Sequence, residues 1–527
     1  MSRFPSKCLL LLLCLTTLRA PSFAATDGVV RGRVFCGDKG IKGVVVSDGA
    51  VVVKTNASGC YEIKTSLPMG YVFISVPSGY EVPSEGLLPQ FFRQISEGGS
   101  AQADFELLKV DQKHCNLLVF NDVHLTDTKA DQYDLKQFGS GFYPDVLEHA
   151  RTLGEVPLYA ICLGDMTTDS RWYKNHFALP EYLKQMEGFP APVFHIMGNH
   201  DNDMRAGGGD FNSSSTFRKV IGPSYYSFNI GGFHFVCLDD IIYDNPLNDK
   251  GNVNKATEYH AYVDETQLKW LEKDLAAVKR NVPVVLCAHI PFTRLSGFSL
   301  GREEHKDAFN DGHTSAEVMN LLRFFKKVYI LSGHTHENYY VLKDGVLEHN
   351  NIAVAGASWY TDCEIGRVLS RDGTPGGYSV YTIDGGRLSW YYKACGHSVE
   401  GCQFRAYDVN TLPEDARQGA TANSVWVNVF NYDPAWKVEI FEKGKPLKVN
   451  RAYLKDPLYY EGMKDNPHTR RGAFMPRPTA HFFTATAGEA DSTLEILVTD
   501  RFGRKFSQSM IRPKPFSLDM PLGNSNN

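Results

Sequence analysis

The spacing of apolar residues changes twice along this chain. From residue 26 to about 108, apolar and polar positions alternate in short runs: Val29 to Phe35, Gly43 to Ser47, Ala50 to Thr55, Tyr61 to Thr65 and Tyr71 to Val76. A period of two over such lengths predicts half-buried strands. Asp48-Gly49 is a hairpin signal, and Asn56-Ala57-Ser58-Gly59 marks another turn. No helical period intervenes, so a small β-sandwich is expected. From about Lys113 the pattern becomes continuous apolar, β-branched runs at Leu117 to Phe120, Leu158 to Leu163, Val193 to Met197, Val284 to Ala288 and Val328 to Leu331. Strands buried on both faces read this way. Helix-like stretches lie between them. In Thr266 to Lys279, Leu268, Leu271, Leu275 and Val278 recur at helical spacing, and Ser315 to Lys327 is a second such stretch. Tyr225 to Leu238, with Gly231-Gly232, reads as a hairpin extending the sheet. Beyond Tyr392 the alternation returns in Val425 to Tyr432, Trp436 to Glu442, Ala480 to Thr486 and Leu494 to Thr499, with a turn at Arg501-Phe502-Gly503. A second β module is expected there.

The first residues read as a leader, not as fold. Arg3 and Lys7 precede the apolar stretch Cys8 to Leu15, and Ser22-Phe23-Ala24 supplies small residues for cleavage. That is the pattern of a secretory signal peptide over residues 1–25, and the run is far shorter than the ~20 residues a span needs. No later segment is long and apolar enough to span. The expectation is an exported protein, periplasmic or extracellular. At 527 residues the chain exceeds one ordinary core. The boundaries drawn are 26–108 for the first module, 113–395 for the α/β domain and 396–527 for the last. A hydrophobic content of 43% marks a globular protein, and a net charge of −5 gives no basic footprint for nucleic acid. Nine of the 11 cysteines lie beyond the leader. Cys162, Cys237 and Cys287 sit in strand-like runs as small buried hydrophobes, whereas Cys36 with Cys60, or Cys395 with Cys402, are pairs that export would allow to form disulfides.

Each apolar run of the middle domain ends in a motif rich in metal-binding side chains. They are Asp122-Val123-His124, Gly164-Asp165, Gly198-Asn199-His200-Asp201, His289 and Gly333-His334-Thr335-His336. In open α/β sheets such strand ends face one ligand-binding crevice. A mixed Asp, Asn and His set suits divalent first-row metals, and it offers more donors than one ion needs. Two adjacent metals bridged by one carboxylate are the natural reading.

In order and type these motifs resemble the calcineurin-like metallophosphoesterase superfamily, whose pattern is D-x-H, G-D, G-N-H-D/E, H, G-H-x-H. The resemblance implies a four-layered αββα sandwich, here flanked by N-terminal and C-terminal all-β domains as in three-domain bacterial members. It further implies that Asp122, His124, Asp165 and His336 hold one metal, and that Asp165, Asn199, His289 and His334 hold the second. His200 would be the catalytic histidine. The implied reaction is hydrolysis of a phosphate ester by in-line attack of a metal-bridging hydroxide. Mn, Fe and Zn all accept this donor set. Many members carry an orienting acid three residues after the bridging Asp. Here Thr168 stands there and Asp169 comes one residue late, which puts that dyad in doubt; Asp201 either orients His200 or is a solvated loop acid, and both readings are open. A Thr at 168 with a His at 124 also departs from purple acid phosphatases, which place Tyr and lack His at those positions. Leu125 and Asp201 likewise depart from the superfamily's nucleotidases.

The insertion from Phe292 to Thr314 follows His289 immediately and carries Arg294, Arg302, His305 and His313; a substrate-contacting loop and a plain surface loop are both open readings. His195 reads as a core histidine. His468, Arg470 and Arg471 read first as surface charge of the last module, with phosphate contact as the alternative, and Asn351, Ser358 and Trp359 follow the last motif as candidates to line the site. The motif loops themselves contain no Arg or Lys, which favours a phosphodiester over a phosphomonoester dianion. A catalytically dead binding protein is the competing class, opposed by the intact donor set.

Overall fold

The structure, a computed structural model, describes residues 28–65, 69–95, 101–127, 133–253, 258–299, 302–307, 309, 314–361, 366–465 and 474–524. The leader, His313, His468, Arg470 and Arg471 lie outside the described residues.

Two sheets form the centre of the α/β domain. The first runs in the order Val193–His195, Leu158–Cys162, His114–Phe120, Gly377–Asp384, Arg387–Ala394, its first three strands parallel. The second runs Tyr226–Ile230, Phe233–Cys237, Val284–Cys287, Val328–Ser332, Val346–Asn350, Tyr339–Lys343, with its middle four strands parallel. The period of two sorts the first sheet's side chains. Leu117, Val119, Tyr159 and Ile161 join the core shared with the second sheet and with the helices Glu265–Ala276 and Thr314–Leu322. Leu118, Phe120, Ala160 and Cys162 pack on Phe142, Val146 and Tyr182 of the helical layer on the other side. Helix, sheet, sheet, helix is the expected four-layered αββα architecture. Asp264 starts Glu265–Ala276 by accepting the amides of Thr266 and Gln267, and Trp270, Leu271 and Leu275 are its buried face.

The two β modules cover opposite edges of this double sheet. The N-terminal module packs two small sheets, one on the strand Gly28–Cys36 and one on Tyr71–Ser75. Its Val76 carbonyl accepts Asn229 N at 2.8 Å on one edge strand, and its Leu87 carbonyl accepts Val193 N at 2.8 Å on the other. Phe91 lies 4.6 Å from Tyr226 and 5.9 Å from Phe194, ring to ring. The C-terminal module pairs Phe404–Asp408, Ser424–Val429, Pro478–Thr486 and Asn450–Lys455 in one sheet, and Lys437–Glu442, Leu494–Thr499 and Lys505–Met510 in another. It meets the far edges through Phe502 on Trp390 at 4.9 Å and Tyr340 Oη on Asn431 Oδ1 at 3.0 Å. Edge strands left bare would be templates for wrong pairing, and both ends are closed. Cys36, Cys60, Cys395 and Cys402 are all free thiols.

Because the N-terminal module is packed into the main core, its residues should control the stability of the whole. Phe91→Ala is expected to cost about 3–5 kcal/mol in the unfolding transition of the α/β domain, followed by tryptophan fluorescence in denaturant. An unmoved transition would show that the module is merely tethered.

Candidate metal centre

The sheets deliver the motifs to one place from two sides. Asp122 and His124, Asp165, and Asn199 follow three strands of the first sheet, while His289, His334 and His336 follow two strands of the second. The loops interlock through their backbones: Asp122 N donates to Gly164 O and His124 N to Asp165 O, each at 3.0 Å. To turn their side chains inward, Asp122, His124, Asp165, His334 and His336 all adopt left-handed backbone, with φ between 49° and 70°. Such conformations are costly for non-glycine residues and gather at functional sites. Gly198 lets the third loop lie against the second, since a Cβ there would sit 2.2 Å from Asp165 Oδ1.

Two groups of donors result, and Asp165 belongs to both. In one, His336 Nε2 is 3.4 Å and His124 Nε2 3.7 Å from Asp122 Oδ1, and His124 Nε2 is 3.6 Å from Asp165 Oδ2. In the other, His289 Nε2 is 3.3 Å from Asp165 Oδ2 and 3.1 Å from Asn199 Oδ1, with His334 Nδ1 2.9 Å from the same Asn199 oxygen. Asp165 Oδ1 is occupied by His200 N at 2.7 Å, so Oδ2 is the shared atom.

These residues fit divalent cations on the structure's own terms. Asp122 Oδ1 is buried with no hydrogen-bond partner, an expensive state unless a cation satisfies it. His289 Nδ1 lies 2.7 Å from Leu163 O and His336 Nδ1 2.6 Å from Gly356 O. A carbonyl only accepts, so each Nδ1 carries a proton and each Nε2 aims a lone pair into the group; metal-binding histidines are oriented in this way. Thr168 Oγ1 stands 3.3 Å from His124 Nδ1. Burial pushes His124 and His334 below the usual imidazole range, the direction that favours the neutral ring. For Asp165, burial opposes ionisation, but His289 and His200 outweigh it and hold the carboxylate well below its ordinary value. Burial likewise opposes charge on His289, yet Asp165 and Asp122 carry it up to about 10. A cation at that point takes the place of the proton.

His200 is partnered by Asp169, not by Asp201. Its Nδ1 is 2.9 Å from Asp169 Oδ1, and Tyr243 Oη donates to the other Asp169 oxygen at 2.5 Å. The late position of Asp169 is compensated by backbone: Thr168 is extended, and a helical turn beginning at Asp169 returns its carboxylate to the ring. Asp201 instead accepts the amides of Gly198 at 2.9 Å, Met166 at 3.0 Å and Thr167 at 3.2 Å. It staples the third motif to the second, which corrects the expectation that it orients His200.

Above the donors lies a cleft of about 560 Å³. Its walls include the expected Ser358 and Trp359, and also Arg171, Tyr259, Arg371 and Phe474, which sequence reading missed. Trp359 Nε1 donates to Val123 O at 2.7 Å, holding the first motif loop. Asn351 does not line the cleft; its amide donates to the carbonyls of Ser332 and His349. His195 is a core residue beside Tyr182, depressed to about 3 by burial. The insertion after His289 forms the hairpin Thr293–Ser299 and Arg302–Asp307, where His305 pairs with Glu303 and Arg302 is exposed.

Three family models match consecutive stretches of the chain: the N terminal of calcineurin-like phosphoesterase over residues 28–110, calcineurin-like phosphoesterase over 115–338, and the C terminal of calcineurin-like phosphoesterase over 348–506. A manganese-dependent ADP-ribose/CDP-alcohol diphosphatase of Arabidopsis thaliana is 24% identical over 208 residues, covering 34% of this chain and 64% of that protein. Purple acid phosphatase 15 of the same plant is 31% identical over 157 residues, covering 28% of this chain and 24% of that protein. The chain thus matches less than two thirds of either relative's length. A crystal structure of a putative 5'-nucleotidase from Staphylococcus aureus aligns at 15% identity and a TM-score of 0.31, covering 54% of this chain and 53% of that one.

Replacing the shared carboxylate should do the most damage of any single ligand change. Asp165→Asn is expected to lower metal content measured by elemental analysis and to bring turnover close to zero. Full metal occupancy with normal turnover would refute the two-group arrangement.

Proposed function

This chain belongs to the calcineurin-like phosphoesterases, and on that premise we propose that it hydrolyses phosphate esters with two divalent cations held around Asp165. The observation that carries the reading is Asp165 Oδ2, which faces His124 at 3.6 Å and His289 at 3.3 Å in two separate donor groups. When bound, two such cations supply Lewis acidity to phosphoryl oxygens and acidify water toward neutral pH. Asp122, His124, Asp165 and His336 would hold one, and Asp165, Asn199, His289 and His334 the other. With the leader expected over residues 1–25, we place the mature enzyme outside the cytoplasm.

His200 lines the cleft beside these ligands, and the Asp169 carboxylate accepts from its Nδ1. That hydrogen bond fixes the ring and stabilises its protonated form. Burial opposes the charge, but Asp165 and Asp169 raise the pKa to about 9 before any cation is added. With Nδ1 held by Asp169, Nε2 is the ring atom that can pass a proton to the leaving oxygen, a task that matters most where the leaving group is an alkoxide. On that ground we favour a phosphodiester. The monoester is the second reading, and a specific observation favours it: Arg171 and Arg371 line the cleft, although no motif loop contains a cation. An intact donor set with a positioned acid opposes a binding-only role.

Two measurements test this reading. His200→Ala should keep its metal and lose roughly 10²–10⁴ in kcat. Asp169→Asn should lose less, and the double variant should fall no further than His200→Ala, because the two act as one unit. Loss of metal from His200→Ala would make His200 a ligand and overturn its role. Separately, kcat/KM for an aryl phosphodiester should exceed that for the corresponding monoester; a monoester preference above about tenfold, roughly 1.4 kcal/mol, would reverse the choice.

A further inference from the structure

Beside the metal centre lies a second hollow of about 200 Å³, lined chiefly by Arg294, Arg371, Arg477, Glu337, Tyr339 and His334. His334 and Arg371 also face the main cleft, so the two spaces meet at the metal ligands. The arginines come from three different parts of the chain. Arg294 stands on the hairpin strand Thr293–Ser299, Arg371 on the turn before Gly377–Asp384, and Arg477 at the start of the C-terminal strand Pro478–Thr486.

Among the described residues that line the hollow, three are arginines and one is a carboxylate, Glu337, whose Oε1 lies 3.3 Å from Arg371 and 3.4 Å from Arg477. Arg294 adds a third cation, and its Nε is buried with no hydrogen-bond partner among the described residues. Tyr339 does not offset it, since its hydroxyl donates to Thr293 O at 3.1 Å. A buried donor left unmade is costly, whereas a guanidinium paired with a phosphoryl oxygen forms among the strongest charge-assisted bonds. Three arginines around a space of this size, opening onto the scissile position, are suited to a compact oxyanion.

We propose that this hollow is a subsite for a second phosphoryl group of the substrate, next to the one that reacts, as in a diphosphate. The inference rests on the phosphoesterase reading and narrows its substrate class. The water oxygen joins the phosphorus at the metal centre, the bond from that phosphorus to the bridging oxygen breaks, and the phosphate held by the arginines leaves with that oxygen and a proton from the water, a leaving group that asks less of His200 than an alkoxide does. Arg371, held to Thr335 O in the last motif loop, sets the spacing between the two positions.

Isothermal calorimetry on the manganese-loaded full chain, at saturating free Mn²⁺, tests this with two probes that cannot be hydrolysed. Methylphosphonate carries one phosphoryl group and methylenediphosphonate two. The wild type should bind the diphosphonate at least about tenfold more tightly, and Arg294→Ala and Arg477→Ala should each remove about tenfold of that preference. Arg294→Lys should restore part of it. Arg302→Ala, an exposed arginine on the same hairpin, should change neither affinity. An undiminished preference in Arg294→Ala and Arg477→Ala, or an equal loss of both probes in Arg302→Ala, would overturn the subsite. If the wild type bound neither phosphonate, the phosphoesterase reading itself would fall, and the subsite with it.

Discussion

One carboxylate oxygen, Asp165 Oδ2, joins the two halves of the α/β domain. It sits on a loop of the first sheet, yet a histidine of the second sheet, His289, approaches it at 3.3 Å. Its partner oxygen is taken by His200 N, which leaves no freedom in how the carboxylate points. Around it, five donor residues accept left-handed backbone. The donors crowd one point: His124 Nε2 and His336 Nε2 lie 3.0 Å apart. The packed sheets hold that cluster together at a cost, and metal binding is what returns the energy.

The β modules serve this arrangement rather than standing beside it. Capping both edges of the double sheet fixes the relation between the strands that end in motifs. The C-terminal module goes further. Its buried Arg405–Asp456 pair, with Tyr407 Oη on Asp456 at 2.8 Å, receives the turn that carries Arg371: Arg405 donates to Gly373 O at 3.1 Å, and Asn428 donates to Asp372 O at 2.8 Å. Gly373 is left-handed there, and a Cβ would strike Asp456 at 2.1 Å. Breaking a buried ion pair of this kind typically costs about 3–5 kcal/mol. The cleft thereby depends on residues as distant in sequence as Asp456, 120 positions beyond His336.

What was legible in the sequence follows from which forces act locally. Continuous apolar runs ending in Asp, Asn or His marked the five motif strands, because buried strands and the loops after them leave a periodic and chemical trace. Gly231-Gly232 marked the hairpin of Tyr226–Ile230 and Phe233–Cys237 for the same reason. The strands Tyr339–Lys343, Val346–Asn350 and Gly377–Asp384 were not named in advance; they complete the two sheets. The role of Asp169 was obscured because a motif counts residues, whereas the structure counts turns: one extended residue and a helical turn bring the carboxylate to His200. Arg371, Arg171 and Phe474 left no signal at all. They reach the cleft through tertiary packing, and neither spacing nor composition encodes that. The absence of cations in the motif loops was true of the sequence and misleading about the space.

We propose two cations sharing one carboxylate, and anomalous diffraction from crystals loaded with manganese tests this directly. Two manganese peaks roughly 3.5–4 Å apart, both coordinated by Asp165, are expected. A single peak, or two peaks of which only one contacts Asp165, would contradict it.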